Sequence, residues 1–374
     1  MDAPVRSVTS AAGTGITIRL SVIIPCRDEI DWIATCLASL ADQDFPVEQF
    51  EVVVVDGMST DGSRECIAAA ADQHRMIRML DNPARATPVA MNVGVAASRG
   101  DIILIAGAHN RYDPAFLRRL VDHLARCAEA DAVGGVIVTL PRTGGRIGRA
   151  IARAISHPFG VGPSHFRTIP DKPVWADAAF GCGYRRSVFE RIGLFNERLV
   201  RGQDMEFNLR LRAAGGRILL APDITSDYFA RSTISSFWIH NFMNGEWAVL
   251  PFLCSPMRPV GLRHLAPLAF VLALLFTGLA APLVPAARWA ATGLAGAYAT
   301  ALLAASVQVA WRARDPILIP VMVVTFTSLH IGYGMGSLWG GLRVIGRWLQ
   351  GERRPRPEEA WPCLDRYAPR DAVT

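Results

Sequence analysis

Short apolar runs alternate with stretches of helical period through the first third of the chain. The run "IRLSVIIP" at 18–25 stops at Pro25, and from Asp28 onward Ile33, Cys36 and Leu37 fall on one helical face. "EVVVVDG" at 51–57 reads as a buried strand closing on Asp-Gly, and the polar "MSTDGS" after it can cap a helix running to about Gln73. "MIRML" at 76–80, a helix near 87–98 and "DIILIAG" at 101–107 continue the alternation. Strands and helices in this order predict an α/β fold with a mostly parallel central sheet covered on both faces. Such sheets bind ligands at the carboxyl ends of their strands, here 25–29, 56–61 and 107–113.

Beyond residue 130 the pattern changes. "GGRIGRAIARAIS" at 144–156 lines up Ile147, Ile151 and Ile155 beside Arg146, Arg149 and Arg153, a stripe suited either to a membrane surface or to packing on the domain. "FWIHNFMNGEWAVLPFL" at 237–253 is aromatic and amphipathic, with Trp238 and Trp247 suited to a headgroup layer. Three hydrophobic runs follow, at 265–284, 289–311 and 316–342, and the first two are uncharged and long enough to cross a hydrocarbon core of about 30 Å. The predicted organisation is a flexible N-terminus (1–17), an α/β domain (18–235), an interfacial segment (236–262), a transmembrane region (263–346) and a polar tail (347–374). That tail is too polar and Pro-rich to build a core.

Composition narrows the function. Of 374 residues, 51% are hydrophobic, and the surplus lies at the C-terminal end. "MDAPVRSVTSAAGTGIT" has no apolar segment of the secretory kind, so the α/β domain is expected in the cytosol. Seven cysteines without CxxC spacing argue against both a disulfide framework and a zinc site. The net charge of +6 suits anionic lipid and phosphate, and no basic-aromatic module points to nucleic acid.

Four stretches in order, "SVIIPCRDE", "VVVVDGMSTDGS", "RATPVAMNVGVAASRGDIILIAG" and "FNERLVRGQDMEFNLRLRAAGG", resemble the inverting glycosyltransferases of family 2, which have a GT-A fold. The resemblance spans roughly residues 19–230. "ISHPFGVGPSHFR", "DAAFGCGYRRSVFERIG" and "HIGYGMGSLWGG" resemble a subgroup typified by succinoglycan-biosynthesis glucosyltransferases. It implies a nucleotide-sugar site of Pro25, Arg27, Glu29, Asp56 and Arg85, with carboxylates for the base and ribose and cations for the diphosphate. It places the catalytic base at Asp204, with Gln203 where the family has Glu. As a bare sequence feature, Asp204 also suits a helix N-cap worth about 1 kcal/mol.

Most of the family ends the strand at 101–107 in Asp-x-Asp, which holds a divalent cation, Mn²⁺ or Mg²⁺, against the diphosphate. Here Gly107 stands at the first Asp and His109 at the second. A neutral imidazole can ligate Mn²⁺, which makes His109 the candidate metal ligand. Asp113 is the substitute if the loop is shifted. His330 sits among Gly332, Gly334 and Gly336, where helix packing accounts for the stretch as well as function does.

The resemblance and the hydrophobic runs together imply transfer of a hexose from a UDP-sugar to a lipid-linked saccharide at the cytoplasmic membrane, with a polysaccharide assembly complex as a further partner. Two rival readings are a processive synthase, of whose Gln-x-x-Arg-Trp element "MNGEW" keeps only the Trp, and a catalytically silent nucleotide-sugar-binding scaffold. Charge placement leaves a conflict. Arg258, Arg263, Arg312 and Arg314 fit a cytosolic side, but a single crossing by 316–342 would put Arg343, Arg347, Arg353, Arg354 and Arg356 outside. The glycines and Pro320 therefore suggest a re-entrant segment or a tight helical pair.

Overall fold

The computed structural model describes residues 18–162, 164–257 and 262–367. The segment 1–17 and Arg258 lie outside the described residues. The chain opens with β1 (Leu20–Cys26), α1 (Ile30–Ala41), β2 (Phe50–Asp56), α2 (Ser63–Gln73), β3 (Ile77–Asp81), α3 (Thr87–Ala97) and β4 (Ile102–Ile105). Next come β5 (Asn110–Tyr112), α4 (Phe116–Arg126), β6 (Ala132–Pro141), α5 (Arg146–Ala154), α6 (Pro158–Val161), α7 (His165–Thr168), β7 (Val174–Trp175) and β8 (Phe180–Arg185). Then α8 (Arg186–Ile192), α9 (Gln203–Ala213), β9 (Ile218–Ala230), α10 (Ile234–Val249), α11 (Pro251–Cys254), α12 (Ala266–Ala280), α13 (Pro285–Ala313), α14 (Leu318–Leu349) and α15 (Pro357–Ala360) complete it.

One sheet runs β3-β2-β1-β4-β8-β6-β9-β5, with β7 added on β9. The first four strands are parallel, and β6 runs parallel to β9. β8, β5 and β7 join antiparallel through shorter pairings. β2 is buried at every position, and β1 at all but Pro25, so their apolar runs are continuous rather than alternating. Helices α1, α2 and α4 cover one face, while α3, α8 and α9 cover the other. The carboxyl ends of β1, β2 and β4 meet beside the start of α9.

α14 corrects the expectation of a re-entrant or paired segment. It is one unbroken helix of 32 residues, about 48 Å long. Pro320 lies in its first turn, where a missing N–H costs no intrahelical bond. The glycines serve contact with α10: a Cβ on Gly245 would meet the Tyr333 carbonyl, and one on Gly336 the Phe242 carbonyl. Along its length α14 lies on the α/β domain. Leu318, Met322 and Phe326 pack with Ala150 and Ala154 of α5, Leu329 with Ile151, Ala230 and Phe237, and Val344 with Leu250 and Leu253. The 144–156 segment is thus a packed helix, and Trp238 sits over Gly332 instead of in a free interfacial layer.

Both ends of α14 are tied to the same domain. At its start, Asp315 pairs with Arg146 and Arg149. Beyond its end, Arg354 donates to the Phe252 carbonyl, Trp361 Nε1 donates to Glu206 Oε1 at 2.6 Å, and Leu194 N–H donates to the Pro362 carbonyl. The tail therefore contributes to a core, with Ala360 buried, contrary to the reading of its composition. A partly exposed hairpin remains, formed by α12 and α13, with Phe276, Leu279, Leu283 and Trp289 between 69% and 85% exposed around its tip.

Candidate active site

The loops after β1 and β2 are laced together. Asp28 N–H donates to Ser59 Oγ, Glu29 N–H to Ser63 Oγ and Ile30 N–H to Asp61 Oδ2, while Thr60 N–H returns a bond to Asp28 Oδ1. Ser63 and two backbone N–H groups, at Ile30 and Ser63, hold the Asp61 carboxyl below its usual pKa. This lacing presents Glu29 at the start of α1, on the rim of a cavity of about 910 Å³.

Pro25, Arg27, Glu29, Arg85, His109 and Asp204 all line that cavity. Asp56 does not. It is fully buried, accepting from Ser59 Oγ at 2.5 Å and pairing with Arg64 at 2.5 Å. Its carboxylate holds Ser59, and through Ser59 the backbone of Asp28, so it positions Glu29 from behind the wall. Asp113 is excluded as a substitute at the metal position. Its Oδ1 accepts from Ala115 N–H and Arg119, and it opens on a different groove, with Arg111 and Asp227.

Two cations and a carboxylate–imidazole pair line the pocket. Arg27 Nη1 donates to the carbonyl of Arg85, whose backbone has φ +56°, a left-handed conformation uncommon outside glycine. His109 Nδ1 lies 3.3 Å from Glu29 Oε1. The loop carrying His109 is pinned by Tyr112, whose buried hydroxyl accepts from Gly107 N–H at 2.8 Å and reaches the Gly107 carbonyl at 3.2 Å. A Cβ on residue 107 would run into Asn110 Oδ1, and Asn110 is itself buried and bonded to the Asp227 carbonyl. An aspartate at 107 would therefore require the Asn110 side chain to shift.

No group of three or more His, Cys, Asp or Glu able to hold a metal occurs among the described residues. Glu29 and His109 alone fit a cation that takes its remaining ligands from donor phosphates and water, as Mg²⁺ and Mn²⁺ commonly do.

Asp204 sits in the first turn of α9, after Gly202 in the left-handed conformation. Its carboxyl is exposed to the cavity; the protein around that cavity raises its pKa above the usual aspartate value, and the Met205 N–H, bonded to Oδ1 at 2.9 Å, opposes that shift. Among the described residues no cation pairs with it. Beside it the Gln203 Oε1 is shielded and without a partner. A proton acceptor thus lines the same pocket as the arginines.

Sequence reasoning missed three parts of the wall. Tyr184 donates to Asn208 Oδ1 at 2.8 Å below Asp204, Asp177 pairs with Arg212 at 2.7 Å, and Asn82 adds an amide beside Arg85. The signal for the first two was the polar-glycine stretch "DAAFGCGY", which supplies Asp177 and Tyr184.

The family model described as glycosyl transferase family 2 matches residues 21–193, from β1 to the end of α8. The chain therefore carries a family 2 glycosyltransferase domain. It is 27% identical over 323 residues to a dolichyl N-acetyl-alpha-D-glucosaminyl phosphate 3-beta-D-2,3-diacetamido-2,3-dideoxy-beta-D-glucuronosyltransferase of Methanococcus voltae, covering 84% of this chain and 95% of that protein. It is 29% identical over 318 residues to the succinoglycan biosynthesis protein ExoA of Rhizobium meliloti (strain 1021), covering 84% and 92%. Among solved structures, a mannosyltransferase, PcManGT, from Pyrobaculum calidifontis in complex with GDP-Man and Mn²⁺ aligns with a TM-score of 0.53 at 21% identity, covering 86% of this chain and 88% of that one. That likeness is one of fold, and the fold of this glycosyltransferase is GT-A.

Proposed function

We propose that this enzyme transfers a hexose from a UDP-sugar, with inversion, to a lipid-linked glycan during polysaccharide assembly. The observation that carries this reading is the placement of Asp204, with no cation paired to it among the described residues, in one cavity with Arg27, Arg85 and the Glu29–His109 pair. Arg27 and Arg85 face the donor diphosphate. Asp204 removes the proton of the acceptor hydroxyl as its oxygen attacks the anomeric carbon, on the face opposite the departing diphosphate, a contribution of roughly 10² to 10⁴ in rate. Glu29 and His109 hold the divalent cation, which when bound neutralises charge on the leaving diphosphate.

The named relatives support the lipid-linked acceptor: one acts on a dolichyl-linked phosphate sugar, the other in succinoglycan biosynthesis. The decisive assay measures sugar transfer from a panel of UDP- and GDP-sugars to membrane lipid extract, with Mn²⁺, Mg²⁺ or EDTA, by wild type and Asp204→Asn. Wild-type transfer no greater than that of the variant for every donor overturns the reading.

The membrane mode follows from the tethering of α14. Its midpoint packs on the end of β9 at Ala230, so placing it across a bilayer would carry the catalytic domain into hydrocarbon. In our reading α14 lies in the plane of the cytoplasmic face, with Trp339, Leu342, Ile345 and Trp348, all 47–55% exposed, turned to lipid. The α12–α13 hairpin dips into the bilayer and returns, and α12, at 15 residues or about 22 Å, is too short to cross alone. Arg343, Arg347, Arg353, Arg354 and Arg356 then stay cytosolic, which removes the conflict in charge placement.

A further inference from the structure

A second cavity, of about 530 Å³, lies between the donor pocket and the apolar helices. Val161 and His264 line both spaces, so the two share a wall. Its polar side carries Arg167 from α7, Arg231 just past β9, and His240, Asn241 and Asn244 from α10. No Asp or Glu lines it. The opposite side, with Pro267, Phe270, Tyr298 and Leu329, belongs to α12, α13 and α14.

Its cations lack counter-ions. Arg167 lies against the Phe166 and Tyr228 rings, and its Nη1 is shielded from solvent without a hydrogen-bond partner. Arg231 has no ion pair or hydrogen bond among the described residues. Arg201, next to it, reaches only Asn244 Oδ1 at 3.1 Å and the Met243 sulfur. His240 Nδ1 is likewise shielded and unpartnered. Burial, followed by Arg231, Arg201 and Arg167, pushes the His240 pKa down to about 3, and burial lowers those of Arg167 and Arg201. Elsewhere on the domain, arginines close to carboxylates pair with them: Arg64 with Asp56, Arg99 with Glu51, Arg111 with Asp227. Grouping two unneutralised guanidinium groups at a cavity without a carboxylate, with Arg201 bonded to the lining Asn244, is costly unless an anion completes it.

We infer that this cavity binds the phosphate of a prenyl-phosphate lipid, with Arg167 and Arg231 on the phosphate, Arg201 orienting Asn244, His240 and the asparagines on its remaining oxygens, and the prenyl chain leaving along α12, α13 and α14. A free phosphate would not need the apolar wall, and a glycerophospholipid headgroup would not need a cavity joined to the donor pocket. The inference rests on the lipid-linked acceptor reading and gives it an address. The lipid phosphate anchors on the arginines, and the sugar it carries reaches past His264 toward Asp204.

The test is binding by the full chain in detergent micelles, with farnesyl diphosphate, inorganic pyrophosphate and farnesol as the compounds measured. Farnesyl diphosphate should bind more tightly than either of the others. Arg231→Ala and Arg231→Glu should weaken it tenfold or more, Arg231→Lys by less, with UDP affinity reporting that the donor cavity is folded. Equal affinity for wild type and Arg231→Glu overturns the site. Pyrophosphate binding as tightly as farnesyl diphosphate, or displacement of the latter by equimolar phosphatidylglycerol, overturns the prenyl assignment. Transfer to lipid extract that survives Arg231→Glu but not Asp204→Asn sinks this inference and leaves the proposed function standing. Arg231-dependent binding in a protein that transfers no sugar does the reverse.

Discussion

Gly107 and Asn110 occupy one space: a side chain on the first would displace the buried amide of the second. Gly107→Asp, which recreates the family's first aspartate, should therefore not strengthen metal use. It should destabilise the protein by about 1–3 kcal/mol, the usual cost of overpacking, seen as a lower denaturation midpoint. Gly107→Asp combined with Asn110→Gly should recover part of that loss.

Cation dependence should follow His109 and Glu29 together. Replacing either with Ala should weaken the half-saturating Mn²⁺ concentration by roughly tenfold or more, on the scale of losses from disturbing a metal site. A titration in which His109→Ala matches wild type would make His109 a bystander and leave the diphosphate to Arg27 and Arg85.

Asp204 joins activity and stability with opposite signs. Its folded pKa is raised, so protonation favours the folded state, and that contribution is present below the unfolded pKa and lost as pH rises through the folded one. At neutral pH the ionised group is a burden. Asp204→Asn should therefore abolish transfer while raising the melting temperature at pH 7 only slightly, because the side chain is exposed to the cavity, with the gain disappearing near pH 3. In wild type the acid limb of kcat/KM should fall above the pH at which an ordinary aspartate, near 3.9, titrates.

The placement of α14 is open to labelling. With exposed Cys363 replaced by Ser, Gly351→Cys should react with an impermeant maleimide in inverted membrane vesicles and not in right-side-out ones. Leu283→Cys, at the hairpin tip, should be shielded by lipid in both. Three full crossings would instead expose both positions in right-side-out vesicles.

Trp361 should behave as a core residue despite its place in the tail. Trp361→Ala removes a donor to the buried Glu206 and the ring lying 4.8 Å from Arg210. A loss of about 2–4 kcal/mol by denaturant unfolding is expected.

The strands that build the site were readable because burial on both faces leaves an unbroken apolar run, as in "VVVV" of β2. The ordered motifs then located Glu29, Arg85, His109 and Asp204, which the fold gathers at one cavity. Sequence gives the end of a strand but not which carboxylate finds an arginine, and Arg64, eight residues on, holds that of Asp56 behind the cavity wall. α13 and α14 are each long and apolar enough to cross a membrane, as their composition indicates, but composition does not show that α14 is one unbroken helix with its glycines against α10. The arginines of the second cavity lie on three separate elements, and nothing along the chain relates Arg167 to Arg231.

His330 shows what the helical region contributes to the enzyme itself. Its Nε2 lies 2.9 Å from the Phe159 carbonyl and its Nδ1 3.1 Å from the Tyr298 hydroxyl, joining α6, α13 and α14. With Trp361 bonded to Glu206 behind α9, the chain from α10 onward is a structural part of the catalytic unit. A soluble version made by cutting before α12 would strip α14 from α5 and α10 and open the back of the helix that carries Asp204. Purification should keep the whole chain in detergent, because the segment that resembles an anchor also shapes the active site.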